Sequence, residues 1–172
     1  MKMTEFFSAQ LEREALGTRQ ALERVPEGRN DWKPHEKSMP LGYLAALVAA
    51  LPSWLAMMVL QDEYDMKPAG GGPGAFHPQV AASNRELLQS FEESLARGRS
   101  ALALTHDDHL LSNWRLKVGG HVVSEQPRYI GLTDAVFSHL AHHRGQLTVY
   151  LRLLEASVPA IYGPSADEGR FD

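Results

Sequence analysis

The sequence predicts an all-α fold: a four-helix up-and-down bundle with a small hairpin insertion before the fourth helix. Four long segments carry apolar residues at helical spacing, and stretches rich in Gly, Pro and polar residues separate them. Residues 114–125 alternate apolar and polar side chains around Gly119-Gly120, which is typical of a short hairpin. A chain of 172 residues, 44% of them hydrophobic, fits one such domain over residues 1–172.

The first two predicted helices cover residues 4–25 and 39–62. In the first, apolar residues follow a rhythm of threes and fours, and Pro26 ends the pattern. The second is more apolar and contains Pro52, which removes a backbone donor, so we expect a bend there. Its large apolar side chains are interpreted as core: Trp54, Met57 and Met58.

The third predicted helix covers residues 79–104. Ser83 and Glu86 have the spacing of a capping box if this helix begins late. The glycine-rich segment before it, residues 67–78, is interpreted as a linker or a flap over a pocket. No Gly-Lys-Ser/Thr follows these glycines, so a phosphate-binding loop is not expected. Residues 106–109, His-Asp-Asp-His, lie after the third helix and are interpreted as solvated capping groups rather than a metal cluster.

The fourth predicted helix, residues 128–156, carries the most informative pattern. One seam faces the core and consists of Val136, Leu140, His143, Leu147, Tyr150 and Leu154. His139 lies one turn before His143, about 40° round the helix, so both imidazoles point the same way. This is the spacing at which two ring nitrogens on one helix can share a divalent metal. His142 projects about 60° to the other side of His139 and is a flanking group.

A His pair at this spacing also has an ordinary structural explanation. Many helices contain such a pair by chance, and a buried His is often only a hydrogen-bonded core residue. Zinc sites use three or four protein ligands, so His139 and His143 need at least one more ligand from elsewhere in the chain.

Composition excludes several kinds of function. The net charge is -4 and no basic run occurs, which argues against nucleic acid or an anionic membrane as a partner. The absence of Cys excludes disulfides, Cys-ligated zinc and cysteine nucleophiles, and it fits a cytoplasmic protein. The N-terminus has no signal-peptide core, and the apolar run of residues 39–60 is broken by Pro52, so we expect a buried helix rather than a membrane span.

Two segments carry a family resemblance. HLAHHRGQLTVYLRLLEASVPAIYGPSADE, with Arg144-Gly145-Gln146 after the His pair, resembles the C-terminal signature of the DinB/YfiT-like family of metal-dependent enzymes. WKPHEKSMPLGYLAALVAALPSW resembles the segment that forms the second helix of that family. The resemblance implies a four-helix bundle, a homodimer, and a three-His site for nickel or zinc. It also implies activities such as thiol-dependent S-transfer that use low-molecular-weight thiols.

The resemblance assigns two metal ligands to His139 and His143 and departs from the family at the third. Members typically read Leu-Ala-x-His on the second helix, where this sequence reads Leu-Ala-Ala-Leu and places Leu47 at the ligand position. Leu cannot coordinate a metal, so we expect nickel or zinc to bind weakly or not at all. The residues considered as a replacement ligand are Asp62, Glu63 and His77.

Two functional classes follow from this departure. The first is a metal-dependent enzyme, of hydrolase or thiol S-transferase type, in which His139, His143 and a further ligand hold a metal that activates a water or a thiol. Arg144 or Gln146 assists in this hypothesis, or else fixes the helix structurally. The second is a degenerate member without catalysis that binds a small molecule or acts as a dimeric interaction module.

Overall fold

The helices of the first 60 residues supply more than half of the buried hydrophobic residues. The computed structural model describes residues 1–68 and 77–169. Helix α1 covers Met3–Leu22 and α2 covers Leu41–Ala50. A 3₁₀ turn, Leu51–Ser53, leads into α3, Trp54–Leu60. The second predicted helix is therefore divided at Pro52, because proline supplies no N–H to continue the α-helical ladder.

Helix α4 covers Asn84–Leu104 and begins late, as the Ser83–Glu86 spacing indicated. The Ser83 Oγ accepts a hydrogen bond from the backbone N–H of Glu86 at 3.3 Å, which is N-capping of the usual kind. The short helix α5, Asp107–Leu111, follows. Most of the glycine-rich linker, residues 69–76, lies outside the described residues.

The prediction of an all-α four-helix bundle is wrong, because the described part of the chain contains a three-stranded mixed sheet in the order β1-β2-β3. Strands β2 (Asn113–Val118) and β3 (His121–Pro127) form the predicted hairpin. Gly119 and Gly120 connect them with φ of 61° and 81°, which glycine adopts without strain. Strand β1, Glu63–Asp65, was not predicted and pairs parallel to β2.

The last helical stretch contains an irregular segment that the sequence did not predict. It comprises α6 (Arg128–Leu132), a π-helical segment (Thr133–Ser138) and α7 (His139–Leu153). The predicted seam nevertheless faces the core, since Val136, Leu140 and Leu147 are fully buried. The π-helical segment ends immediately before the first histidine of the pair, and such segments occur often at functional sites.

One hydrophobic core joins the helices, with α2 packed against α1, α4 and α7. Among the described residues, Leu41–Leu60 is long and apolar enough to cross a membrane by composition, but 61% of its span is buried inside the fold. This burial is what the core helix of a globular protein shows.

The C-terminal tail packs back along the helices, as predicted. The Arg144 guanidinium donates to Glu14 Oε2 at 2.6 Å and to Thr18 Oγ1 at 2.8 Å, and it also contacts the hydroxyl of Tyr162 in the tail. Both members of the Arg144–Glu14 ion pair are almost completely buried. Arg144 therefore fixes α7 to α1 and to the tail, and it makes no contact with the His pair.

Candidate functional site

The two histidines of α7 are in direct contact. Their Nε2 atoms are 2.8 Å apart and their ring centroids are separated by 4.5 Å. His143 lies on the buried seam and is 9% exposed, whereas His139 is half-buried beside α3, where its ring meets Trp54 at a centroid distance of 5.4 Å. The flanking residue His142 is exposed, as its helical position predicted.

Hydrogen bonds fix the outer nitrogen of each ring. The Nδ1 of His139 lies 3.3 Å from the backbone carbonyl of Ala135, and the Nδ1 of His143 lies 2.7 Å from Gln146 Oε1. Both oxygens accept hydrogen bonds, so the tautomer with the proton on Nδ1 satisfies both contacts. This arrangement also gives Gln146 a defined role, since its amide orients the buried ring of His143.

The inner nitrogens then present lone pairs to each other. When both Nδ1 atoms carry the proton, a neutral imidazole has only a lone pair at Nε2. Two lone pairs 2.8 Å apart repel, and a positive centre that both can approach relieves the repulsion. The same pattern, with the outer nitrogen hydrogen-bonded to oxygen and the inner one free, is found in histidines that ligate metals.

Burial keeps both rings neutral. It is the main cause that lowers the pKa of His139 below its ordinary value, and the neighbouring His143 lowers it further. Burial also lowers the pKa of His143, with the Gln146 hydrogen bond opposing the shift and His142 adding to it. Because the ordinary value is about 6.5, both imidazoles are unprotonated at neutral pH and can act as ligands or hydrogen-bond acceptors.

A cavity of about 260 Å³ lies directly beside the pair. The ring of His139 forms part of its wall, and the remaining lining is apolar and aromatic: Trp54, Met57, Tyr64, Met66, Trp114, Leu116 and Ala135. Trp114 is only 6% exposed, and its indole N–H has no hydrogen-bond partner within the described part of the chain. Buried donors without a partner are uncommon, but this N–H does not face the cavity, whose exposed surface is wholly apolar.

Three of the eight residues that line the cavity lie in the sheet, of which the sequence predicted the β2–β3 hairpin but not β1. Trp114 and Leu116 alternate along β2 and therefore point to one face. Tyr64 in β1 pairs with Leu116, so its side chain lies on the same face. The alternation in β2 was visible in the sequence, but the three-residue strand β1 is too short to give a periodic signal. Trp54 and Met57, predicted as core, also line the cavity.

The residues present do not form the three-His site that the resemblance implies. Leu47 is buried in α2, which packs against α7, and its side chain offers no donor atom. No third His, Asp or Glu joins His139 and His143 among the residues whose positions the structure describes. Of the replacement ligands considered, Asp62 bonds Arg128, and Glu63 bonds Arg115 and Lys117. The third, His77, is exposed. The described residues therefore offer a metal ion two imidazole ligands, those of His139 and His143, and no third protein ligand.

The His-Asp-Asp-His segment caps helices, as interpreted from the sequence. The Asp107 carboxylate accepts hydrogen bonds from the backbone N–H groups of Met3 and Thr4, both at 3.1 Å, and so caps α1. His106 Nδ1 accepts from the N–H of His109 at 3.3 Å at the start of α5.

The sequence matches no protein-family model. It is 38% identical over 102 residues to an uncharacterized protein of Bacillus subtilis strain 168, YrdA. The aligned region covers 52% of this chain and 61% of YrdA, so the match spans less than two thirds of that relative.

The structural matches cover much more of the chain than this sequence match does. A DinB-like protein from Bacillus cereus ATCC 10987 matches with a TM-score of 0.68 and 21% identity, over 92% of this chain and 97% of that one. The chain has the DinB-like fold. A second DinB-like protein, YjoA of Bacillus subtilis, matches with a TM-score of 0.60 and 18% identity, over 88% and 93% of the two chains. At these identities the likeness concerns the DinB-like fold and not the reaction.

Proposed function

We propose that this protein is a DinB-like protein that binds a small molecule in the cavity beside the His139–His143 pair. The observation that carries the proposal is the cavity itself: about 260 Å³ of space lined by aromatic and apolar side chains, with one imidazole in its wall. Ligand sites are typically concave, mostly apolar and supplied with few polar groups. The lack of a third metal ligand among the described residues favours binding over metal-dependent catalysis.

His139, backed by His143, forms one side of this site. The two rings are held by Ala135 and Gln146, so the edge of His139 that faces the cavity has a fixed orientation. In the proposed function the rigid, neutral ring of His139 contacts the ligand, and His143 holds that ring in place from the buried side. Preorganised rings of this kind lose little conformational freedom when a ligand binds.

The proposal also covers the type of ligand, the cellular location and the oligomeric state. The ligand is a small molecule, and a low-molecular-weight thiol is one candidate. The protein works in the cytoplasm as a homodimer and binds neither nucleic acid nor membrane. The net charge of -4 and the lack of Cys support this setting, and the burial of Leu41–Leu60 inside the fold agrees with it.

The test is a screen of small neutral, anionic and cationic compounds by ligand-observed NMR against the full chain and two variants. Ala135→Leu places a larger side chain in the cavity wall without altering the carbonyl that His139 uses. Ala141→Leu is the matched control, because it makes the same change in the adjoining helix α7 at a residue that does not line the cavity. We expect ligands whose signals respond to the native protein and the control but not to Ala135→Leu. A screen without such ligands would refute the proposal.

A second candidate function is the metal-dependent enzyme, of hydrolase or thiol S-transferase type. One specific observation favours it: the two Nε2 atoms converge to 2.8 Å while both Nδ1 atoms are occupied by oxygen acceptors. His139 and His143 would hold nickel or zinc, with Gln146 orienting His143. Such an ion lowers the pKa of a water or thiol and so supplies a nucleophile at neutral pH. The cavity would position an apolar substrate beside the pair.

Metal analysis separates the two candidates. The protein is purified without a histidine tag or chelator, and nickel and zinc are measured per chain, followed by calorimetric titration at neutral pH. Near-stoichiometric metal with tight binding would support the enzyme and require a third ligand beyond the described residues. Metal far below one ion per chain, with weak titration, would support the binding protein.

A further inference from the structure

We propose that the cavity selects an uncharged, flat aromatic molecule of about ten non-hydrogen atoms, an estimate that scales from benzene filling a cavity of about 150 Å³. The inference rests on the proposed function, because it names the class of ligand for the same cavity. The measured space is about 260 Å³, which suits two fused rings rather than one.

The side chains around this space favour an aromatic occupant. Trp54, Tyr64 and Trp114 present rings from a helix and two strands, so a flat molecule meets ring faces or edges on several sides. Aromatic pairs gain energy beyond the area that they bury when they stack with an offset or meet edge to face. Met57 and Met66 complete the lining with thioethers, which also contact aromatic rings favourably.

The same lining excludes charged ligands. Within the described residues, no Asp, Glu, Lys or Arg lines the cavity, so an ion entering it would lose water without gaining a partner of opposite charge. His139 offers no free nitrogen to a charged ligand, because its two nitrogens are already directed at Ala135 and His143. An aromatic lining can also attract a quaternary ammonium group, so a cation is included in the test.

Four probes of similar size test the class. They are 2-naphthol, its saturated analogue decahydro-2-naphthol, the anion 2-naphthoate and the cation trimethyl(phenyl)ammonium. Binding to the full chain is measured by calorimetry and ligand-observed NMR at neutral pH. We expect 2-naphthol to bind about three- to tenfold more tightly than the saturated analogue, since ring contacts are lost. We expect the anion to bind at least about tenfold more weakly than 2-naphthol.

Variants assign the binding to this cavity. Ala135→Leu should abolish 2-naphthol binding, and Ala141→Leu should leave it unchanged. Because Ala135 itself belongs to the π-helical segment, Met57→Trp fills the cavity from α3 as a second test, and circular dichroism confirms that each variant is folded.

The outcomes distinguish a wrong ligand class from a wrong proposed function. If decahydro-2-naphthol, the anion or the cation binds as well as 2-naphthol and is blocked by both filling variants, the class is wrong and the binding site stands. If 2-naphthol binds equally well to the folded filling variants, it does not use this cavity and the inference is overturned. If no compound in the probe set or the wider screen binds in a cavity-dependent way, the inference and the proposed function both fail.

Discussion

Ala135 and Gln146 determine which nitrogens of the His pair remain available. Each provides an oxygen to an outer nitrogen, and the inner nitrogens are left to face each other at 2.8 Å. The sequence predicted that His139 and His143 share a side of the helix, because that follows from a spacing of four residues. It could not predict the contact with Ala135, since the carbonyl belongs to a π-helical segment without a distinctive composition.

The lowered pKa values of the His pair predict how stability depends on pH. A histidine whose pKa is lower in the folded than in the unfolded state binds more protons when unfolded. Stability should therefore fall as the pH drops through about 6.5, the unfolded value, and level off below the folded values. The pKa of His109 is also lowered by burial, so it contributes with the same sign.

Melting temperatures measured between about pH 8 and pH 5 test this dependence, since the carboxylates remain ionised over most of that window. The double variant His139→Gln/His143→Gln should show a flatter profile than the native protein. His121→Gln, at an exposed strand residue, serves as the control and should keep the native slope. An unchanged slope in the double variant would show that the pair does not cause the dependence.

Leu47→His tests the alignment that places this residue across from the pair. A third imidazole should replace a water ligand and tighten nickel or zinc binding by orders of magnitude. Without metal, the change should cost about 1–3 kcal/mol, because a buried leucine becomes a polar ring without an assured partner. Added metal should then raise the melting temperature of the variant more than that of the native protein.

Calorimetric titration of both proteins at neutral pH is the measurement, and Leu47→Asn is the matched control because it is polar but lacks the imidazole. Tight binding by the native protein would mean that another residue supplies the third ligand. No gain in Leu47→His would mean that residue 47 does not face the pair.

At the scale of elements, the interrupted helix and the sheet show where sequence reasoning succeeds and fails. Pro52 removes a backbone donor and its ring crowds the carbonyl of the preceding turn, so the break between α2 and α3 was predictable. The hairpin was also predictable, because alternation and the Gly119-Gly120 turn are local signals. Strand β1 was not, since its three residues pair with a strand about 50 positions later in the chain, and loop closure of that length leaves no local pattern.

Asp65 connects β1 to the hairpin, and its removal should loosen the sheet. Its carboxylate accepts hydrogen bonds from the backbone N–H groups of Lys67, Gly119 and Gly120 at 2.7–2.9 Å. These donors, with Lys67 the largest contributor, lower the pKa of Asp65 below its ordinary value. Asp65→Ala should lower the melting temperature by a few degrees and weaken ligand binding, because Tyr64 and Met66 lie on either side of it.

Thermal unfolding and ligand titration of Asp65→Ala and Asp65→Asn measure this effect. Asn keeps one acceptor oxygen and should fall between the native protein and the Ala variant. Equal stability of all three proteins would show that the turn does not depend on the carboxylate.

At the scale of the whole molecule, the buried Arg144–Glu14 pair holds three parts of the chain together. Arg144→Met should cost about 3–5 kcal/mol, because it leaves the Glu14 carboxylate buried without its partner. The double variant Arg144→Met/Glu14→Leu should lose much less, since neither charge remains. Chemical denaturation of the native protein and the three variants, including Glu14→Leu alone, provides the coupling energy. Independent, additive losses would contradict this account.

Assembly is the second property at this scale. We expect a homodimer, and an apolar surface between α3 and α4 is available for it, where Leu60 is 66% and Leu104 is 77% exposed. Exposed apolar patches of this kind often mark protein interfaces. Light scattering at micromolar concentration should give twice the chain mass, Leu104→Glu should give the monomer, and Leu16→Glu on α1 should remain dimeric. A monomer mass for the native protein would refute the expectation.

The parallel pairing of β1 with β2 has a consequence for the order in which the protein folds. The hairpin can form by itself through nearby contacts, whereas β1 can join it only after the intervening helices have brought distant parts of the chain together. Tyr64 reaches the cavity from that late strand, so the binding site is complete only when folding is nearly finished. A ligand should accordingly slow hydrogen exchange at the β1 amides more than at the β2–β3 turn, because it binds the completed state alone.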